Sequence, residues 1–182
     1  MLDKGLTVIQ LDEHQILTYL ADLLEVEQRV YEERGHLYST EVWGEEQFVS
    51  ELAGKFDTSY GVVKEGRLIA FLICSSPLPG WNHVHRVAVH PDYAGKRIGR
   101  KLMIQAYMDW RKMSDYHTIT AIIRRDHKLS LPFALLLGAK VADKAFMTEF
   151  FEARKKSDVV ILDDGFVDSY GVKYVLVWID KK

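Results

Sequence analysis

The run Val87-Ala88-Val89-His90-Pro91-Asp92-Tyr93-Ala94-Gly95-Lys96-Arg97-Ile98-Gly99-Arg100-Lys101-Leu102 passes from a β-branched apolar stretch, through a turn rich in Gly, Lys and Arg, directly into a helical period. A strand that ends in a tight turn and reopens as a helix leaves the first-turn N–H groups without intrahelical acceptors, and the helix dipole adds partial positive charge where they point. A pyrophosphate or similar anion is the natural occupant of such a turn. Lys96, Arg97, Arg100 and Lys101 strengthen the field. The spacing is neither the G-x-G-x-x-G of a dinucleotide fold nor the G-x-x-x-x-G-K-S/T of a P-loop, which excludes both. Taken alone, the run also reads as a plain strand–turn–helix connection with a solvated basic face.

Outward from this run, hydrophobic periodicity predicts a mixed α/β (α+β) chain. Residues 83–89 form the strand that feeds the turn, and residues 98–113 a helix with Ile98, Leu102, Ala106 and Trp110 on one stripe. Upstream, residues 6–11 read as a strand. Asp12 with Gln15 makes a capping box for a helix that carries Ile16, Leu20, Leu23 and Leu24 and ends at Gly35. A second helix spans residues 45–53 with Phe48, Val49 and Leu52 among acidic neighbours. Residues 60–64 and 67–74 pair as a hairpin across Glu65-Gly66, and Pro77, Pro79 and Gly80 break the pattern before the next strand. Downstream come a strand at 116–123, a short apolar helix at 129–137 ending at Gly138, and closing strands at 146–151 and 174–179. Between those two lies a long mixed connection, residues 154–171, with an apolar run at 159–162 and an Asp164-Gly165 turn. Such connections are either functional or tolerated surface excursions.

At 182 residues, 48% hydrophobic and 27% charged, the chain reads as one globular domain spanning 1–182. Its net charge of -2 excludes a general nucleic-acid binder, which carries a basic surplus over the whole domain. With a single cysteine no internal disulfide is possible. The apolar neighbours of Cys74 predict a small buried thiol, a nucleophile being the alternative. No apolar run reaches the roughly 18 residues of a membrane span, and the first residues lack the charged and apolar segments of a signal peptide. A soluble, cytoplasmic protein with neither membrane nor nucleic-acid partner is expected.

The quoted run resembles motif A of the GCN5-related N-acetyltransferases (GNAT), written Q/R-x-x-G-x-G/A after V-x-V-x-P. Ala94 stands where that family has Gln or Arg, and Arg97 where it has its first glycine, so Gly95 and Gly99 are expected to supply the conformational freedom. The order β-α-α-β-β-β-α-β-α-β-β also matches the GNAT fold. That resemblance implies a central, mixed, mostly antiparallel sheet of about seven strands flanked by about four helices. It further implies acetyl-CoA as cosubstrate, with Val87, Ala88 and Val89 giving backbone contacts to the pantetheine arm. Ala94, Gly95, Lys96, Arg97, Ile98, Gly99 and Arg100 would hold the pyrophosphate. In motif B, N-x-x-A-x-x-F/L-Y-x-x-x-G, His127 takes the position of the asparagine that touches pantetheine, Ser130 that of the alanine, and Ala134 that of the tyrosine that protonates the leaving thiolate. Alanine cannot donate that proton. Arg124, Arg125 and Lys128 either meet the 3′-phosphate or form a solvated strand end.

Acetyl transfer to an amine also needs a base. Many members of the family place a glutamate six residues before the last valine of V-x-V, and here that position is His83. An imidazole suits the task because its ordinary pKa lies near neutrality. His83 and His85 are therefore the catalytic candidates, with substrate-lining and metal-ligating readings as alternatives for His83. No metal is expected, since neither a Cys pair nor H-E-x-x-H supports one. The acceptor region by resemblance contains Glu25, Glu27, Glu32, Glu33, Glu41, Glu45, Glu46 and Glu51, either a wall that attracts a cationic amine or a solvated helical face. Within it, Trp43-Gly44-Glu45-Glu46-Gln47-Phe48 is similar to the W-S-E-E-Q-F stretch of the ribosomal-protein alanine acetyltransferases, whose catalytic glutamate and tyrosine correspond to Ile122 and Ala134. The resemblance implies transfer to a small-molecule or peptide amine by direct attack in a ternary complex, and a homodimer stays open. A non-catalytic acyl-CoA-binding protein is the alternative.

Overall fold

The computed structural model describes residues 5–38 and 42–181. Its elements are β1 (Leu6–Gln10), α1 (Glu13–Thr18), α2 (Leu20–Tyr38), α3 (Glu45–Val49), β2 (Tyr60–Lys64), β3 (Arg67–Ser75), β4 (Trp81–Val89), a 3-10 turn (Pro91–Tyr93), α4 (Ile98–Lys112) and β5 (Thr118–Arg124). There follow α5 (Ser130–Leu136), β6 (Lys140–Val141), α6 (Lys144–Ala153), β7 (Val160–Leu162), β8 (Gly165–Val167) and β9 (Lys173–Asp180). They gather into two compact units that interleave along the chain, Met1–Ser76 with Val84–Met113 and Pro77–His83 with Ser114–Lys182.

In the first unit the strand order is β1-β2-β3-β4. The β2–β3 hairpin turns at Glu65 (φ 51°) and Gly66 (φ 81°). Two successive left-handed residues give the turn whose twist matches that of the paired strands. From Leu68 onward β3 is buried without a break, the mark of a strand covered on both faces. Leu11, Ile16, Leu23, Val26, Phe48, Leu68, Phe71, Ile73 and Ala88 form one apolar core. Helix α4 packs on β2 and β3, burying the stripe Ile98, Leu102, Ala106 and Trp110. The Tyr60 hydroxyl donates to Asp109 Oδ2 at 2.7 Å and fixes α4 lengthwise. The first unit therefore sets the later part of β4, from Val84, and the N-terminus of α4 on one apolar core.

In the second unit β5, β9, β8 and β7 follow in that order, with β6 also on β9. Its core is Trp81, Ala142, Met147, Phe150, Phe151, Phe166 and Leu176. The resolved pairings β1–β2, β2–β3, β5–β9, β6–β9, β7–β8 and β8–β9 are all antiparallel. The α/β class and the mostly antiparallel sheet agree with expectation. The strand and helix counts, nine and six among the described residues, exceed it.

Each difference has a local cause. The expected first helix divides at Tyr19 (φ -104°, ψ 16°) into α1 and α2, and α2 runs through Gly35. An internal glycine costs a helix about 1 kcal/mol without ending it. Helix α3 stops at Val49 rather than continuing to residue 53, because the fully buried Lys55 ammonium donates to the carbonyls of Gln47, Phe48 and Ser50. Residues 146–151 are not a strand but part of α6. Asp143 caps it by accepting from the Phe146 N–H at 2.9 Å, and Met147, Phe150 and Phe151 bury one face at helical spacing. The connection 154–171 contains the β7–β8 hairpin, which turns at Asp163-Asp164, one residue before the expected Asp164-Gly165, because Gly165 already pairs with Leu162 as the first residue of β8. No helix among the described residues is long and apolar enough to cross a membrane.

Candidate functional site

The run that decides the fold also builds the site. In β4, residues 81–84 are buried, Ala88 is buried, and Val87 is 37% exposed. The strand thus passes from a buried first half to an open stretch around Val87 before it reaches the reversal. After Val89 the chain reverses within residues 90–97. His90 N–H donates to the Ile69 carbonyl at 2.8 Å, and the 3-10 turn closes through Tyr93 N–H to His90 O and Ala94 N–H to Pro91 O, both at 2.9 Å. Gly95 (φ 77°) and then Arg97 (φ 59°, ψ 23°) carry the left-handed geometry that aims α4 back along the strand.

The expectation that Gly95 and Gly99 supply the freedom therefore needs one correction. Gly95 does so, and a Cβ there would meet nothing within 4 Å. The second left-handed residue is Arg97 itself, although a side chain in that region costs roughly 1–2 kcal/mol. Gly99 lies inside α4, where a Cβ would stand 3.4 Å from Val89 Cγ2 and 3.6 Å from Val87 Cγ1. Its role is to keep the first turn of α4 close to the strand valines. No side chain caps that turn at Arg97, and Lys96, Arg97 and Arg100 are exposed around it. Backbone donors, helix dipole and cations together suit an anion.

The two candidate histidines have different surroundings. His83, in the second unit, is 2% exposed, with Nδ1 2.8 Å from Thr120 Oγ1 and its ring 5.2 Å from that of Phe150. His85, in the first unit, is half-buried, with Nε2 2.5 Å from Ser75 Oγ and its ring 6.2 Å from Trp43. The acidic residues are largely committed. Glu27 is fully buried, accepts from Arg86 Nε and Nη2, and takes the Trp43 N–H at 3.1 Å. Glu25 pairs with Arg67, and Glu32 and Glu33 with Arg29. Glu45, Glu46 and Glu51 are exposed, and Glu41 lies outside the described residues. Cys74 is buried, and desolvation pushes its thiol up to about 12, so it is not a nucleophile at neutral pH.

In the second unit, His127 Nδ1 accepts from the N–H groups of Ser130 (3.0 Å) and Leu129 (3.3 Å), so its ring organises the start of α5. Burial lowers its pKa, in keeping with an acceptor nitrogen that must stay unprotonated. Arg124 is held by Asp126 at 2.7 and 2.9 Å, and Arg125 by Asp164 at 2.7 Å. Arg124, Arg125 and Asp126, with Gly171, Val172 and Lys173, line an open groove of about 470 Å³. The contribution of Tyr93, whose ring collects lysines from β2 and from the reversal, was not legible from spacing alone.

The model of the acetyltransferase (GNAT) family matches residues 20–139. Among solved structures, the ribosomal-protein-S18-alanine N-acetyltransferase from Escherichia coli is 16% identical, with a TM-score of 0.66 over 96% of this chain and 93% of its own. The PaiA N-acetyltransferase from Thermoplasma acidophilum, solved in complex with coenzyme A, is 14% identical with a TM-score of 0.59 over 97% and 99%. Arabidopsis thaliana Naa50, in complex with the bisubstrate analogue CoA-Ac-MVNAL, is 8% identical with a TM-score of 0.60 over 97% and 99%. At these identities the likeness is one of fold. No curated protein matches significantly.

Two outcomes follow from the geometry. Arg97→Gly relieves the left-handed side chain and is expected to raise stability by about 1 kcal/mol in urea denaturation; an unchanged or lower midpoint would contradict the strain. For His127, a folded pKa below the unfolded value near 6.5 means that the unfolded chain binds the proton first. Its contribution is thus present above about pH 6.5 and is lost as pH falls toward and through the lower folded pKa. His127→Asn, which keeps an acceptor oxygen, is expected to flatten that acid limb. Identical pH–stability curves for the two proteins would remove the cap from the account.

Proposed function

Since the chain belongs to the acetyltransferase (GNAT) family, we propose that it transfers acetyl from acetyl-CoA to a primary amine, of a small molecule or of a peptide N-terminus, by direct attack in a ternary complex. The observation that carries this reading is the reversal from β4 through the open turn at Gly95 to a first turn of α4 that no side chain caps and that exposed Lys96, Arg97 and Arg100 surround. A linear thioester cosubstrate with an anionic pyrophosphate matches those features in order: strand backbone of Val87, Ala88 and Val89 for the arm, and residues 94–100 for the phosphates. Residues 1–182 are read as one catalytic domain. A cytoplasmic location belongs to the same reading.

Transfer forms a C–N bond as the C–S bond breaks, so the amine must lose a proton and the thiolate must gain one. A backbone N–H of β4 is suited to polarise the thioester carbonyl. Of the two base candidates, surroundings favour His85. It is half-buried beside Trp43, in the segment that resembles an acceptor wall, whereas His83 is enclosed and bonded to Thr120. Ala134 offers no proton, which supports either unassisted departure of the thiolate or the second reading, an acyl-CoA-binding protein without turnover. Peptide acceptors draw support from the fold likeness to the S18 alanine N-acetyltransferase and Naa50.

Acetyl-CoA that binds only the folded state stabilises it by about 2.7 kcal/mol at a hundredfold excess over Kd. A rise in melting temperature with acetyl-CoA is expected for the wild type and none for Gly99→Glu, which sets a carboxylate at the first turn of α4. No rise for the wild type at millimolar acetyl-CoA would refute the reading, and a rise without consumption of acetyl-CoA across amines and peptides would select the binding protein. With an accepted amine, His85→Ala is expected to lower turnover by about 10²–10⁴ while leaving the acetyl-CoA thermal shift in place. A larger loss in His83→Ala, with the protein still folded, would return the base to His83.

A further inference from the structure

Tyr93 closes the 3-10 turn after β4, and its ring gathers two cations from separate parts of the first unit. Lys64, the last residue of β2, has its Nζ 5.2 Å from the ring centroid, and Lys96 of the reversal has its Nζ at the same distance. The His90 ring stands edge-on to Tyr93 at 6.0 Å. Cation–π attraction holds an ammonium group over a ring without neutralising it, so the charge stays available to a ligand. Among the described residues Lys64 pairs with the 84% exposed Glu65 carboxylate at 3.9 Å, Lys96 has no ion-pair partner, and the carboxylates of Asp92 and Glu25 lie at 3.8 and 3.9 Å from the His90 ring rather than from either lysine. Arg97 and Arg100 lie next in sequence and are exposed. By contrast, Arg124 and Arg125 in the second unit already hold Asp126 and Asp164.

The pyrophosphate assigned to residues 94–100 is not the whole charge of the proposed cosubstrate. Coenzyme A also carries a 3′-phosphomonoester on its ribose, close to dianionic at neutral pH, which needs cations beyond a helix N-terminus. Resting on the reading above, we propose that Lys64 and Lys96, held over Tyr93, form the subsite for this phosphomonoester, so that the chain distinguishes acetyl-CoA from its 3′-dephospho form. Lys64 and Lys96 supply the charge. Tyr93 positions both and needs no hydroxyl to do so.

Calorimetric titration at fixed ionic strength, using acetyl-CoA and acetyl-3′-dephospho-CoA, tests the assignment on the full chain. The wild type is expected to prefer the phosphorylated form by about tenfold or more, the scale of one or two charge-assisted contacts. In Lys64→Gln/Lys96→Gln the ratio, which cancels whatever Lys96 contributes to the pyrophosphate common to both forms, should fall to about two or less. Tyr93→Phe, which keeps the ring face, should retain the wild-type ratio. A wild-type ratio near one, or a ratio that survives the double substitution, would overturn the subsite while leaving acetyl-CoA binding intact. Failure of the wild type to bind either compound would overturn the cosubstrate reading and the subsite together.

Discussion

The whole arrangement depends on one backbone constraint, the reversal that takes the chain from the end of β4 into α4 within residues 90–97. Pro91–Tyr93 turns once, Gly95 turns left-handed without steric cost, and Arg97 does so against its side chain. A strained residue persists only where its surroundings over-determine it. Here the surroundings are the buried stripe of α4 on β2 and β3, the Tyr60–Asp109 bond, and the His90 bond to Ile69. Those contacts set where α4 must begin, and the loop conforms.

The same constraint produces the chemistry. By closing quickly, the reversal aims the first turn of α4 at the end of β4, with exposed cations around it and an exposed valine on the strand before it. Gly99 keeps helix and strand valines close, and Tyr93 adds Lys64 from a strand remote in sequence. An extended thioester with a charged end, docked as proposed, would meet strand backbone, helix terminus and cations in one order along one chain segment. The acidic helical residues contribute less than their number suggests. Glu27 anchors Arg86 and the Trp43 backbone rather than facing solvent, and a buried ion pair of this kind is destabilising to break without being strong evidence of net stabilisation.

Most of this was legible in the sequence where a periodic pattern was long or a turn signal was specific. The i, i+4 stripe of α4, the Glu65-Gly66 hairpin and the Asp12 cap needed only local physics. Residues 146–151 misled because a run of large apolar residues suits a strand as well as a helix, and the Asp143 cap that decides the matter is a single residue upstream. The end of α3 was illegible for a different reason, since it depends on Lys55 folding back onto carbonyls five to eight residues earlier. At the candidate site, the strand, the reversal and the helix that follows were legible from spacing as structure. The left-handed conformation of Arg97, the cap made by His127 and the lysine pair on Tyr93 all arise from tertiary context.

The central claim is that the β4–α4 reversal is the docking segment for acetyl-CoA. Backbone amide NMR on ¹⁵N-labelled protein tests it most directly, because it reports each N–H in place. Titration with acetyl-CoA should shift the amides of Gly95 through Arg100 and of Val87 to Val89 most strongly, with the amides at the first turn of α4 moving downfield as they donate to phosphate. Saturable binding whose largest shifts lie elsewhere, with residues 87–100 unmoved, would contradict it.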